Sequence, residues 1–162
     1  VSRASTPAGG LADQAARDLA VSEFVLPVAL EAGAGTGKTR SLVARLATWL
    51  LGPGWASAAA DLAERKAGGG GQSEPADIAA RVAEGTVAIT FTDAAAAEMS
   101  RRLGELLGSL ASGGIARDLS PLPHLLTGID LQERARRLTA VLSRIRLQTI
   151  HSFCHRLLAD HP

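Results

Sequence analysis

Lys38 and Thr39 are the residues of this sequence best placed to do chemistry, because of what precedes them. They close the stretch Ala32-Gly33-Ala34-Gly35-Thr36-Gly37-Lys38-Thr39. A small residue, four spacers and then Gly-Lys-Thr is the spacing of a nucleotide-phosphate loop. Glycines at 33, 35 and 37 let the backbone approach a ligand where a side chain would block it. Successive N–H groups can then turn towards phosphate oxygens at the positive end of the following helix. Lys38 would reach the outer phosphates, and the Thr39 hydroxyl would hold Mg²⁺. The nucleotide-binding set is Ala32, Gly33, Ala34, Gly35, Thr36, Gly37, Lys38 and Thr39, with Arg40 directly after them. The strict pattern begins with Gly, whereas this chain has Ala32.

Such a loop works only between a strand and a helix. The apolar run Phe24 to Leu30, broken by Pro27, predicts the strand. Leu42, Val43, Leu46, Trp49 and Leu50 then recur at helical spacing and predict the inward face of the helix. Upstream, Leu11 to Ala20 reads as a short helix turning Leu11, Ala15, Ala16 and Leu19 inward. Residues 1–10 read as disordered. Gly52-Pro53-Gly54 breaks the helix that follows the loop. Residues 56–84, with four glycines at 68–71, read as a flexible insertion carrying one or two short surface helices.

A second strand is expected over Thr86 to Phe91, with Thr92 or Asp93 capping the next helix. That helix carries Met99, Leu103, Leu106, Leu107 and Leu110 on one stripe. A helical pattern returns over Leu131 to Ile145, its opposite face bearing Arg134, Arg136, Arg137 and Arg144. A third strand, about Ile145 to Ile150, runs into a helix on which Phe153, Cys154, Leu157 and Leu158 share a face. Helices alternating with short apolar strands predict an α/β fold, a parallel sheet with flanking helices of the P-loop NTPase type. Ligands of such sheets gather at the carboxyl ends of the strands. All three strand-to-helix junctions are expected on that edge.

Composition narrows the class further. Hydrophobic residues make up 46% and charged residues 20% of the 162, as in soluble globular proteins. Aromatics are only 3%, so the core must be built from Ala, Leu, Val and Ile. A net charge of +1 argues neither for nor against a nucleic-acid partner. The single cysteine, Cys154, excludes an internal disulfide and suits a reducing cytoplasm. It reads as a small buried hydrophobe. His151 and His155 stand four apart beside it, yet no fourth zinc ligand lies near them. No stretch approaches a membrane span.

The junctions together resemble superfamily 1 DNA helicases of the UvrD/RecB type. EAGAGTGKT at 31–39 is similar to helicase motif I, ITFTDAAAAEM at 89–99 to motif Ia, and TIHSFCHRLL at 149–158 to motif Ib. LADQ at 11–14 is similar to the Q motif, which makes Gln14 a candidate for the adenine edge. The TIHSFC form resembles the RecB and AddA helicase–nuclease subunits more than UvrD itself. The resemblance spans about Leu11 to Asp160. It implies an incomplete RecA-like motor domain 1A with ATP and Mg²⁺ as cofactors. Translocation would run 3′ to 5′ on single-stranded DNA, opening the duplex, in double-strand break repair and recombination.

Carried over residue by residue, the strand contacts implied are Thr90, Phe91, Thr92, Thr149, His151 and Ser152. Strand-end hydroxyls and helix N-termini bind phosphates, and an exposed aromatic can stack on a base. Alternatives stand beside these roles. Phe91 could end a buried strand as a core aromatic, and Thr92 and Asp93 could be caps alone. The arginines at 134–146 could be a solvated face or a secondary phosphate contact.

The hydrophobic strand ending in Asp-Glu, with which such an enzyme binds Mg²⁺ and polarises water, is not found in this sequence. The expectation is therefore the front part of a helicase, an enzyme when complete and inactive as these residues alone. The remainder of the helicase chain, and a partner subunit of a helicase–nuclease complex, are the implied protein partners. The alternative is a stand-alone nucleotide- and single-strand-binding module, or a remnant without turnover.

Overall fold

The computed structural model describes residues 9–31, 37–66, 74–119 and 122–160. Of residues 1–10, expected to be disordered, 1–8 lie outside the described residues and Gly9 and Gly10 open a helix; the four glycines at 68–71, expected to be flexible, also lie outside. In chain order the described residues form helices α1 (Gly9–Ser22), α2 (Lys38–Leu51), α3 (Pro53–Lys66) and α4 (Pro75–Glu84). Strand β1 (Val87–Thr90) and helix α5 (Asp93–Ala111) follow, then α6 (Leu131–Ala140), β2 (Arg146–Thr149) and α7 (Ile150–Asp160). Short 3₁₀ turns at Arg117–Leu119, His124–Leu126 and Leu142–Arg144 link the later elements. The result is an α-rich domain around a two-stranded parallel sheet. Among the described residues no helix is long and apolar enough to cross a membrane.

The aromatic-poor composition produces a core of Leu, Ala and Val. Leu50, Leu51, Leu103, Leu107, Leu126 and Leu138 are fully buried, with Val43 and Thr48 beside them. The stripe on α5 is the expected one, since Met99, Leu103, Leu106, Leu107 and Leu110 are all buried. On α2 the buried face is Val43, Ala44, Ala47, Thr48, Leu50 and Leu51. Leu42, expected inward, is 46% exposed. Because α2 packs on α1, α3, α5 and α6, its small residues Ala44 and Ala47 face close neighbours. Thr48 satisfies its buried hydroxyl on Ala44 O at 2.8 Å. The face of α1 is also rotated from expectation: Ala20 is buried, whereas Ala15, Ala16 and Leu19 are exposed. Its packing is chiefly against α2, where Arg45 Nη1 donates to Ala20 O at 2.7 Å.

Gly52-Pro53-Gly54 does end α2, yet α3 starts at once with Pro53 in its first turn, where a missing N–H costs nothing. A Cβ on Gly54 would sit 2.7 Å from the Trp49 ring, so only glycine allows this approach. The two helices of the 56–84 region are not surface elements. Trp55 and Ala58 of α3, and Ile78, Ala79, Val82 and Ala83 of α4, belong to the core.

The first expected strand is absent. Phe24 to Leu30 forms no ladder, and Val25 and Leu26 are 91% and 66% exposed. The cause is local. Glu23 Oε1 accepts from the N–H of Val25 at 2.6 Å and of Leu26 at 2.9 Å, and Pro27 has no N–H. Three successive residues thus have no donor left for a strand partner. The same two bonds, Leu26 first and Val25 second, hold the Glu23 carboxyl below its usual range. Phe24 instead tilts against Trp49 at 5.3 Å, with the Arg45 guanidinium over its ring at 4.5 Å.

Two arginines of α6 serve the ends of neighbouring helices, while Arg137 pairs with Glu133 of its own helix at 2.8 Å. Arg134 Nη1 donates to Leu51 O at 2.5 Å, at the end of α2, and its guanidinium lies over Trp55 at 5.0 Å. Burial pushes its pKa down. Arg136 Nε donates to Ala111 O at 3.2 Å, at the end of α5. Cations at carbonyl ends offset the unpaired acceptors and the helix dipole there. The pattern expected to run to Ile145 ends at Ala140, and a 3₁₀ turn then brings Ile145 into the core before β2.

Candidate nucleotide and single-strand sites

The head of α2 is built by Gly37, which takes φ 86° and ψ 22°, a left-handed geometry that favours glycine. Lys38 is the first helical residue and is exposed, Thr39 is half-buried, and the residue at the cap position is Gly37, which has no side chain. The first N–H groups of a helix point out of its end, where they can meet a bound phosphate. Ala32 to Thr36 lie outside the described residues, so the loop itself has no geometry here. Thr39 would hold the Mg²⁺ that accompanies a nucleotide, an ion that would offset phosphate charge there.

Beside this head, α1, α2 and the 3₁₀ turn at Arg117–Leu119 enclose a cleft of about 470 Å³. Gln14 lines it, as the resemblance implies for an adenine contact, and its Nε2 donates to Asp18 Oδ1 at 2.7 Å. Arg40 lines it too, reaching Asp118 Oδ1 at 2.9 Å and Arg117 O at 2.8 Å. Sequence reasoning missed Arg17 and Asp118. Arg17 Nη1 lies 3.9 Å from where a Gly37 Cβ would stand, and its i, i+3 spacing from Gln14 was the available signal. For Asp118 the sequence holds no signal, since its contact spans more than seventy residues.

The other two junctions do meet. The register pairs Thr90 with Thr149, so the carboxyl ends of β1 and β2 lie side by side. Thr92 caps α5 by accepting from Ala95 N at 3.2 Å, and Thr90 Oγ1 donates to Thr92 O at 3.0 Å. Thr149, buried, accepts from Ser152 N at 3.3 Å and shares a hydroxyl contact with Ser152 at 3.0 Å. Phe91, directly after β1, is 92% exposed and is no core aromatic. His151 and Ser152 are exposed on the first turn of α7.

Cys154, expected buried, is exposed. Leu157 and Leu158 are 45% and 71% exposed, since the contacts of α7 are chiefly with the two strands. The first junction does not share the strand edge as expected, since among the described residues no strand forms ahead of Gly37.

A cleft of about 420 Å³ runs along β2 to α7, where Arg146 Nε and Gln148 Nε2 are buried without hydrogen-bond partners among the described residues.

Two curated relatives, from Geobacillus thermodenitrificans (strain NG80-2) and Geobacillus kaustophilus (strain HTA426), are both named as the A subunits of an ATP-dependent helicase/nuclease. Each is 40% identical over 68 residues, 42% of this chain and 4% of the relative. The chain thus spans far less than two thirds of the length of the relatives it matches. No solved structure matches it. The family model of the UvrD/REP helicase N-terminal domain matches residues 13–162, and by that match over most of its length the chain belongs to this helicase family.

Proposed function

We propose that this chain is the nucleotide- and single-strand-binding front of an ATP-dependent 3′-to-5′ DNA helicase, built on a RecA-like P-loop sheet. In this reading Mg·ATP is held by the loop 32–36 with Gly37, Lys38 and Thr39, and its base reaches the cleft of Gln14 and Arg40. Single-stranded DNA crosses the paired strand ends at Thr90, Phe91, Thr92, Thr149, His151 and Ser152. The observation that carries the reading is the head of α2, opened by a left-handed Gly37 with Lys38 first. The printed name of the two relatives supports a helicase–nuclease setting, hence a partner subunit in a complex that serves recombinational repair of duplex breaks. A cytoplasmic location follows from that role.

Neither β1 nor β2 ends in a carboxylate, so water activation is assigned to no residue of this chain. The test is ATP turnover by the 162-residue chain, with and without single-stranded DNA, beside Lys38→Ala. Nucleotide bound without turnover is expected. DNA-stimulated turnover abolished by Lys38→Ala would place a catalytic acid within these residues and overturn the assignment.

A further inference from the structure

We propose that Asp118 is a positioning residue of the nucleotide site, one that holds the Arg40 guanidinium in the cleft beside the head of α2. The proposal rests on the nucleotide reading above. Arg40 is the third residue of α2, directly after Lys38 and Thr39. Alone, so long a side chain would sweep through many rotamers. Here Nε meets Asp118 Oδ1 at 2.9 Å and Nη2 donates to Arg117 O at 2.8 Å. Both donors lie on one edge of the planar guanidinium, so the pair of bonds sets its plane as well as its position. The side chain lines the cleft and is 48% exposed, and a guanidinium both stacks on aromatic rings and donates to acceptors.

The acceptors are themselves anchored. They sit on a 3₁₀ turn whose flanking residues Ala116 and Leu119 are 7% and 4% exposed, with Leu119 N bonded to Ala116 O at 2.9 Å. Gln14 lines the same cleft, whose volume of about 470 Å³ suits a nucleoside. As a support of the fold the ion pair counts for little, because its side chains are 48% and 33% exposed. Its consequence is order: fixing a long side chain in advance improves affinity by about two- to tenfold.

The test titrates Mg·ATP and Mg·tripolyphosphate onto the 162-residue chain. Tripolyphosphate occupies a phosphate loop and has no base to meet Arg40. Asp118→Asn should weaken ATP about two- to tenfold, leave tripolyphosphate unchanged and leave the melting temperature unchanged. Asp118→Glu, whose carboxylate still reaches the guanidinium, should recover most of the loss. In an Arg40→Lys background Asp118→Asn should have no further effect. Should the Asn amide disturb the turn, Asp118→Ala gives the same reading. Unchanged or tighter ATP binding by Asp118→Asn, while Lys38→Ala abolishes both ligands, would overturn the proposal and spare the nucleotide site. Equal weakening of both ligands would overturn it as well. A wild-type chain that binds neither ligand would refute the nucleotide reading itself.

Discussion

Phe91→Ala separates binding from folding more cleanly than any other substitution in this domain. Fully burying a phenylalanine is worth about 1.5–3 kcal/mol. Phe91 is 92% exposed, so folding hides less than a tenth of it. Its truncation should cost the fold only about 0.2 kcal/mol and move the melting temperature by no more than about 1 °C. The hydroxyls around it already serve the backbone or each other: Thr90 on Thr92 O, Thr92 on Ala95 N, Thr149 on Ser152. Phe91 is thus the group at this edge with most surface to offer a base. Stacking on one base is worth about 1–3 kcal/mol by alanine substitution. That converts to a dissociation constant weaker by about 5- to 150-fold.

Fluorescence anisotropy of a labelled oligothymidylate, read across a salt series beside a thermal melt, measures both quantities. The loss should be uniform across salt, because a stacking contact releases no counterions. Phe91→Leu, which keeps an apolar side chain and loses the ring, should behave nearly as Ala does. Affinity within twofold of wild type, with the fold intact, would refute the role given to Phe91. A melting temperature lowered by several degrees would return it to the core.

Two further outcomes test the scaffold. Arg134→Ala removes a charged donor from Leu51 O and a cation from the Trp55 face. It should cost about 1.5–3 kcal/mol, and thermal denaturation within 1 °C of wild type would contradict that. Asp61 is held below its usual range by Arg81 first and Arg65 second, and Glu98 by Arg102 first and Arg101 second. Their folded pKa values lie below the unfolded ones, so their contribution is complete above the unfolded values. It is lost as pH falls through the folded values. Stability should hold from neutrality down to the ordinary carboxylate range near about 4 and decline below it. Asp61→Asn with Glu98→Gln should flatten that decline, and a melting temperature that rises on acidification would contradict the sign.

What the sequence made legible was whatever depends on neighbours within a turn or two. The α5 stripe from Met99 to Leu110, the Thr92 cap and the two strands that pair could be read from spacing and residue type. The missing strand could not, because an apolar run shows its hydrophobicity and hides where its donors go. Glu23, just upstream, takes the N–H groups that a ladder would need. Faces were misjudged where the number of neighbours decides burial. Central α2 buries a broader arc than its largest residues mark, and α7, packed chiefly on the two strands, leaves Cys154 exposed. At the nucleotide site the loop pattern was visible at a glance. Asp118 was not, since only the folded chain brings it to Arg40.

The central claim is that the head of α2 binds nucleotide phosphates through Lys38. Calorimetric titration of Mg·ATP onto the wild-type chain and onto Lys38→Ala tests it most directly, with melting curves to show that both fold. The account predicts saturable one-to-one binding by the wild type and its near-complete loss in the variant, at unchanged stability. Equal binding by the two chains, or none by a folded wild type, would contradict it.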